Sequence, residues 1–405
     1  FTISANNVTI DFNGYNINDT SPAVGEYGVN ISAYNQTTVK NGQIYHFGRG
    51  ITSSGFNGNF TNMTIYSNGI FSGSIYGIYL SNNSNIITNN NITMISTAGA
   101  VGSGYGIYLT GSSNNTIQNN IANYNKAYDD GTGILLISNS NNNIVINNTF
   151  SFNSNIAGPN AITGIALSGS SNNQVINNTA NSNQYGISLS SSSNNTLTNN
   201  NMWNCTITTN GCIYLTSTSQ NNTFTRGTIN LSSSNLIYLQ SNSNNNIFKD
   251  LTLLGATNND TFLTTTSINN TFLNVSYNNS RESVAGGSQL IRKWYYRAYV
   301  NDTSGLGVSA ANVSAFNVSG SYNFNLTTNS SGWTGISEIT DYINTGAASG
   351  INRSYYSNYT IYAGNSTYIT GSHVYNATSN TNNLNDNFEL IPFSNVTTCG
   401  TLNTA

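Results

Sequence analysis

Residues 106–120 read GIYLTGSSNNTIQNN, a phrase without one charged side chain. In its first four residues apolar and polar positions alternate, so Ile107 and Leu109 share one face of a strand and Tyr108 takes the other. Close copies start at Gly77, Gly133, Gly164 and Gly186, and looser ones at Cys212, Leu236 and Thr261. Successive close copies lie about 22 to 31 residues apart, the spacing of stacked repeats. The apolar pair recurs as Ile78/Leu80, Ile134/Leu136, Ile165/Leu167, Ile187/Leu189, Ile213/Leu215 and Ile237/Leu239. A second inward position follows each turn, at Ile117, Val145, Val175, Leu197, Phe224, Phe248 and Phe272. A single copy cannot bury its apolar face, whereas stacked copies align like residues in columns. The pattern therefore predicts a parallel β-solenoid of about ten coils, its strands about 4.8 Å apart.

The asparagine pairs that close each copy fall where one strand gives way to the next. Such corners need a residue with positive φ, which Gly and Asn tolerate best. The second member of each pair is expected there: Asn90, Asn120, Asn148, Asn178 and Asn200, followed by Gly227. In the last coils Leu251 and Val275 take this place, and the corner is expected to change shape.

The GI-x-L…SNN-x-I-x-NN pattern resembles the right-handed parallel β-helix repeats of carbohydrate-active proteins, copper-associated periplasmic maturation proteins and archaeal surface proteins. The opening residues 5–17, ANNVTIDFNGYNI, are similar to the first coil of such proteins. The resemblance covers about residues 1 to 280 and implies fold more than function, because the fold hosts many activities.

Near residue 285 the repeat stops. The expected organisation is a β-helix over 1–284, an antiparallel β-sandwich over 285–393 and a tail over 394–405. Alternating segments broken by NDTSG and NSSG turns suggest about seven strands. They are expected to start at Trp294, Ala311, Tyr322, Thr334, Tyr359, Tyr368 and Phe388. Residues 302–316 and 327–339 resemble the transthyretin-like sandwiches of carboxypeptidase-regulatory and adhesin type. Where that resemblance expects an aspartate in the turn, this chain has Asn329.

Charged residues are only 6 % of the 405, against roughly 25 % in average soluble proteins. A net charge of −3, with basic residues forming no stripe, speaks against nucleic acid. No apolar run reaches the roughly 18 residues of a membrane span. Phe1 is expected to be a processed start, its first coil leaving an open strand edge. So few ionisable groups imply that stability depends weakly on pH.

Cys205 and Cys212 bracket the segment CTITTNGC. They form either a staple across that loop, favoured in an oxidising compartment, or two separate buried thiols. Cys399 would be a free or intermolecular thiol. The solenoid acids Asp11, Asp19, Glu26, Asp129, Asp130, Asp250, Asp260 and Glu282 are scattered, and only Asp129 and Asp130 adjoin. Those two read as a solvated loop turn, with a weak cation site as the alternative. His46 and His373 stand in different domains, and Met63, Met94 and Met202 read as core filler. No metal, cofactor or catalytic residue is assigned, and the chain is expected not to be an enzyme. Tyr76, Tyr79, Tyr105 and Tyr108 alternate outward on neighbouring coils; they are read as strand surface residues rather than a stripe that stacks on sugars.

The acceptor triplet Asn-x-Ser/Thr occurs about 29 times, where the composition alone would give about 20. The acceptors are Asn7, Asn18, Asn30, Asn35, Asn59, Asn62, Asn82, Asn91, Asn114, Asn147, Asn177, Asn194, Asn204, Asn221, Asn230, Asn259, Asn269, Asn274 and Asn278 in the solenoid. Beyond it stand Asn301, Asn312, Asn317, Asn325, Asn329, Asn352, Asn358, Asn365, Asn376 and Asn395. The excess lies mainly in this second group, where no repeat forces Asn to be present. The expected protein is therefore an N-glycosylated, extracellular structural protein of archaeal type: a filament or surface-layer subunit, or an adhesin. Its partners would be copies of itself, joined head to tail with the tail adding a strand. A carbohydrate-binding or carbohydrate-cleaving β-helix is the alternative, and a receptor-binding spike the third reading.

Overall fold

All the GI-x-L strands enter one parallel sheet of twelve strands. The structure, a computed structural model, describes residues 1–21, 25–69, 73–96, 102–156 and 162–395. Its contacts divide the chain into two units. The first comprises Phe1–Asn270, Val275–Gln289 and Gly346–Ile351; the second comprises Thr271–Asn274, Leu290–Thr345 and Asn352–Ala405.

In the first unit, strand Ser103–Thr110 pairs in parallel with Ile75–Leu80 on one side and Asp130–Ile137 on the other. The register aligns Ile107 with Ile78 and Ile134, and Leu109 with Leu80 and Leu136. These six side chains are fully buried, each contributing about 1.5–3 kcal/mol of apolar burial. The glycine that opens the phrase has a packing reason. A Cβ at Gly106 would lie 2.6 Å from the Gly133 carbonyl oxygen and 2.7 Å from the Ala122 Cβ. The second inward column packs beneath, with the Phe224 and Phe248 rings stacked at 4.8 Å. Met63, Met94 and Met202 are buried with it.

The corner assignment is corrected. Positive φ belongs to the first member of each pair: Asn89 (57°), Asn119 (56°), Asn147 (57°), Asn177 (54°) and Asn199 (53°). Asn90, Asn120, Asn148, Asn178 and Asn200 lack it and point into the core instead. There each amide nitrogen donates to the next coil's amide oxygen, at 2.9, 3.0, 2.9 and 3.0 Å along the row. Gly227 alone of the expected corners has positive φ, at 109°, and it ends the row. A Cβ there would lie 2.2 Å from the Asn200 carbonyl oxygen. Leu251 and Val275 do not change the corner either. They fill the inward place, while Asp250 (56°) and Asn274 (52°) keep the left-handed turn.

The other pair in each phrase repeats the device. Asn114 turns at φ 58°, and Asn115 joins a buried row running Asn85, Asn115, Asn143, Asn173, Asn195, Asn222, Asn246, Asn270. A short third row links Asn125, Asn153 and Asn183. Buried polar groups must be hydrogen-bonded, and stacking identical amides satisfies them along the coils.

Cys205 and Cys212 are joined by a disulfide. Cys212 occupies the position of the repeat's glycine, since Ile213 pairs with Ile187 in the adjacent strand.

The second unit contains the strands Leu290–Asp302, Asn312–Phe316, Tyr322–Thr327, Ser337–Asn344, Arg353–Tyr355, Tyr359–Asn365, Tyr368–Tyr375 and Asn383–Leu390. Four of them form an antiparallel sheet in the order Tyr322–Thr327, Asn312–Phe316, Tyr359–Asn365, Tyr368–Tyr375. Strand Leu290–Asp302 pairs antiparallel with Ser337–Asn344 and in parallel with Asn383–Leu390. Tyr296 from this group meets Phe324 and Tyr375 from the four-stranded sheet, at 5.1 and 5.3 Å, within one buried core. The two turn motifs use the same bonds. Asp302 Oδ1 accepts from the Ser304 and Leu306 backbone at 2.8 and 3.0 Å. Asn329 Oδ1 accepts from Ser331 and Trp333, both at 3.0 Å, so the amide serves where an acid was expected. The expected tail strand lies outside the described residues beyond the short 3-10 turn Phe393–Asn395, as does Cys399.

Candidate functional site: a tyrosine face on the coils

Alternation sends Tyr108 outward from between Ile107 and Leu109, and the parallel register repeats that position on every coil. Tyr79 pairs with Tyr108, and Tyr76 with Tyr105. One strand earlier, Arg49 pairs with Tyr76 and Tyr27 pairs with Arg49. The rings pack as two short stacks, Tyr76–Tyr105 at 5.4 Å and Tyr79–Tyr108 at 5.4 Å, their planes nearly parallel in each case. Edge-to-face contacts join the stacks, Tyr76–Tyr79 at 5.3 Å and Tyr76–Tyr108 at 5.0 Å. The Arg49 guanidinium lies 5.3, 5.3 and 5.6 Å from the centres of Tyr27, Tyr76 and Tyr79. It also donates to the Tyr27 hydroxyl at 3.3 Å. Desolvation raises the pKa of Tyr79, Tyr105 and Tyr108 above the ordinary phenol value. Their hydroxyls therefore stay protonated donors.

At the edge of this cluster stands Asp130. The reading of Asp129 and Asp130 as a solvated loop is corrected here, because Asp130 begins strand Asp130–Ile137. Backbone pairing with the neighbouring coil carries the strand further than the apolar alternation does. Burial pushes the Asp130 carboxyl up to about 6, against hydrogen bonds from Thr132 and Gly131 that lower it. The Thr132 hydroxyl donates to Asp130 Oδ1 at 2.9 Å. Asp129 does a different job, its Oδ2 accepting the Gly102 amide at 2.9 Å.

Further along the same face the outward column runs Tyr108, Leu135, Ala166, Ser188, Tyr214, Tyr238, Phe262. Tyr185, Tyr214, Tyr238 and Phe262 form a second stack, with centres 5.4, 5.6 and 5.0 Å apart. Between the two stacks the outward column passes through the half-buried Leu135, Ala166 and Ser188, a saddle without aromatic rings, while Thr132 and Thr163 in the neighbouring column are buried. Four coil steps of about 4.8 Å separate Tyr108 from Tyr214, a span of about 19 Å. Within a stack each ring covers its neighbour; Tyr185, which ends the second stack, is itself buried, whereas Tyr105 and Tyr108 at the end of the first are only half-buried. Sequence reasoning found Tyr76, Tyr79, Tyr105 and Tyr108 and placed Asp130 in a loop turn, but missed Arg49 and Tyr27, which lie outside the repeated phrase.

The remaining sequence candidates stay apart. His46 Nδ1 lies 2.8 Å from Asn18 Oδ1, while His373 Nε2 pairs with Asp386 at 3.1 Å and stacks on Phe388 at 4.3 Å. Asp11 pairs with Lys40 at 3.2 Å. Asp260 and Glu282 stand on adjacent coils, where Thr261 pairs with Glu282, but each has its own partner: Asp260 Oδ2 accepts the Asn278 amide at 2.7 Å and Glu282 Oε2 the Tyr277 hydroxyl at 2.5 Å. Among the described residues no three metal-ligating side chains converge, and no helix is long and apolar enough to cross a membrane.

The family described as the right handed beta helix region matches residues 2–150 and 148–277. No curated protein matches the chain. Among solved structures it is similar to a mutant tailspike protein of E. coli bacteriophage HK620, at 10 % identity and TM-score 0.43, covering 78 % of this chain and 66 % of the tailspike. A tailspike mutant in complex with a pentasaccharide is similar at 11 % identity and TM-score 0.48, covering 83 % and 73 %. The periplasmic alginate epimerase AlgG, as a mutant, is similar at 12 % identity and TM-score 0.45, covering 73 % and 72 %. The expectation that the chain is not an enzyme is corrected by this finding. An epimerase stands among the structures it is similar to, and sparse carboxylates are no ground for the exclusion.

Proposed function

We propose, for a chain that belongs to the right-handed β-helix family, a role as an extracellular surface protein that binds polysaccharide along its tyrosine face. One observation carries the reading: the half-buried rings of Tyr105 and Tyr108 end a tyrosine stack beside Leu135, Ala166 and Ser188, with Asp130 next to them and Arg49 packed on the far side of the stack. Sugar rings present apolar C–H faces that pack on aromatic rings, while a few placed polar groups fix their orientation. The face carries one guanidinium and one carboxyl, so its ligand is an uncharged or weakly charged glycan. Calorimetry of the full chain against a polysaccharide panel tests this. Tyr108→Ala should weaken the best binder at least about tenfold, the loss of roughly 1.4 kcal/mol, with the unfolding midpoint checked in parallel. Absence of binding to every polysaccharide at millimolar concentration would sink the reading.

A second reading, a rigid N-glycosylated building block of an archaeal-type surface layer or filament, is favoured by a separate observation. Every acceptor asparagine from Asn7 to Asn376 lies outside the buried core, and none of the buried row asparagines opens an acceptor triplet. Sugars on those acceptors would supply the hydration that the missing charges do not. Native protein whose intact mass equals the bare 43.3 kDa would exclude it. Electron microscopy of the native material tests head-to-tail assembly.

A further inference from the structure

On the four-stranded sheet of the second unit, Phe316, Asn317, Val318, Gly320, Thr360 and Tyr362 line an open cleft of about 370 Å³. No charged side chain lines it. Phe316 meets Tyr322 and Tyr362 edge to face, both at 5.9 Å, at 67° and 79°. In that arrangement no two rings stack face to face. Val318 and Tyr322 are 63 % and 62 % exposed, an apolar surface that water meets unfavourably.

One wall of the cleft is Asn317, which opens the triplet Asn317-Val318-Ser319. Its side-chain oxygen is pinned by three donors: the Ser319 backbone at 3.0 Å, the Ser319 hydroxyl at 2.7 Å and the Ser321 backbone at 2.9 Å. Its amide nitrogen donates to no protein group among the described residues. Three other acceptors of this unit have that nitrogen engaged, Asn301 with the Asp302 carbonyl at 3.0 Å, Asn352 with Thr345 at 3.0 Å and Asn365 with the Ser309 carbonyl at 3.2 Å, whereas Asn329 and Asn376 share the arrangement of Asn317 without lining the cleft. At Asn317 the oxygen fixes the side chain and leaves free the atom to which sugar attaches.

We propose that Asn317 carries an N-glycan whose first sugar rings lie in this cleft, so that the protein's own sugar covers its exposed aromatic patch. The inference rests on the reading of the chain as N-glycosylated. Attachment requires a lipid-linked oligosaccharide diphosphate. The amide nitrogen attacks C1 of the first sugar, and the C1–N bond forms as the C1–O bond to the diphosphate breaks. The lipid diphosphate leaves with the electron pair, and the amide proton passes to a base of the transferase. Pyranose C–H faces then pack on Phe316 and Tyr362, as aromatic rings favour, while hydroxyls face Thr360 and water.

The test uses the full chain from a glycosylating host, with site occupancy read by glycopeptide mass spectrometry and Tyr322 and Tyr362 exposure by nitration rate. Both N317Q and S319A should speed nitration of these two tyrosines several-fold over the glycosylated wild type. S319A keeps Asn317 and its backbone bonds, which separates loss of sugar from damage to the turn. A bare Asn317 beside glycosylated Asn312 or Asn358 overturns this proposal alone. A chain with no sugar at any acceptor overturns the glycosylation reading and this proposal with it. Asn317 carrying sugar with nitration unchanged in both variants shows that the glycan lies elsewhere, and also overturns it.

Discussion

At the scale of single residues, the asparagine pair divides its labour in a way the amino-acid letters do not display. Asn119 turns the chain, and Asn120 bonds neighbouring coils. Both members are the same residue type at adjacent positions, so periodicity alone cannot say which one points inward. The substitution by Gly at position 227 pointed the wrong way, since that coil turns at Arg226 (58°) and Gly227 together. The distinction has a measurable consequence. Removing the Asn120 amide strands the Asn90 side chain and backbone that donate to it. Each orphaned group costs about 1–3 kcal/mol. Asn120→Ala should therefore lose about 3 kcal/mol or more in urea unfolding. Asn119→Gly should stay within about 0.5 kcal/mol, because glycine holds positive φ without strain.

At the scale of elements, the inward columns were fully legible, because Ile107, Leu109 and Ile117 repeat with a strand's alternation. Strand ends were not. Ser103–Thr110 and Asp130–Ile137 begin before the apolar phrase, through backbone pairing that leaves no hydrophobic signature. This is why Tyr105 was seen but Asp130 was assigned to a loop. In the second unit the strand expected from Thr334 begins at Ser337, and the three-residue Arg353–Tyr355 was absent from the reading. A short, mostly exposed edge strand shows no alternation to find. The disulfide was read as one of two possibilities, and the structure has it. Opening the Cys205–Cys212 loop by the double serine variant should cost about 2–3 kcal/mol on the loop-entropy estimate. Thermal unfolding with and without reductant checks this: reductant should lower the wild-type midpoint and leave the double variant unchanged.

At the scale of the whole molecule, scarcity of charge makes single titrations visible. The Asp130 carboxyl sits at about 6 when folded against 3.8 for its ordinary value. Below pH 3.8 both folded and unfolded chains hold the proton. Between there and pH 6 the folded chain binds it more tightly, so stability falls as pH rises through that window. The drop amounts to about 3 kcal/mol at most. Burial also raises Asp260, which acts in the same direction. Denaturation at pH 4 and pH 7 should show the protein more stable in acid, and Asp130→Asn should flatten the difference. An equal slope in the variant would remove Asp130 as its source.

The amide rows also give the molecule an arrow. In every link an asparagine N–H points toward the later coil and its carbonyl toward the earlier one. Strand hydrogen bonds, by contrast, run both ways between neighbours. The amide dipoles therefore add head to tail, and bonded chains of this kind polarise one another. One end of each row gathers partial negative charge, the other partial positive charge, in a body with almost no ions to mask it. A coil spliced in with its direction kept would extend that field. A coil presented in reverse would set carbonyl against carbonyl, and the stack would refuse it.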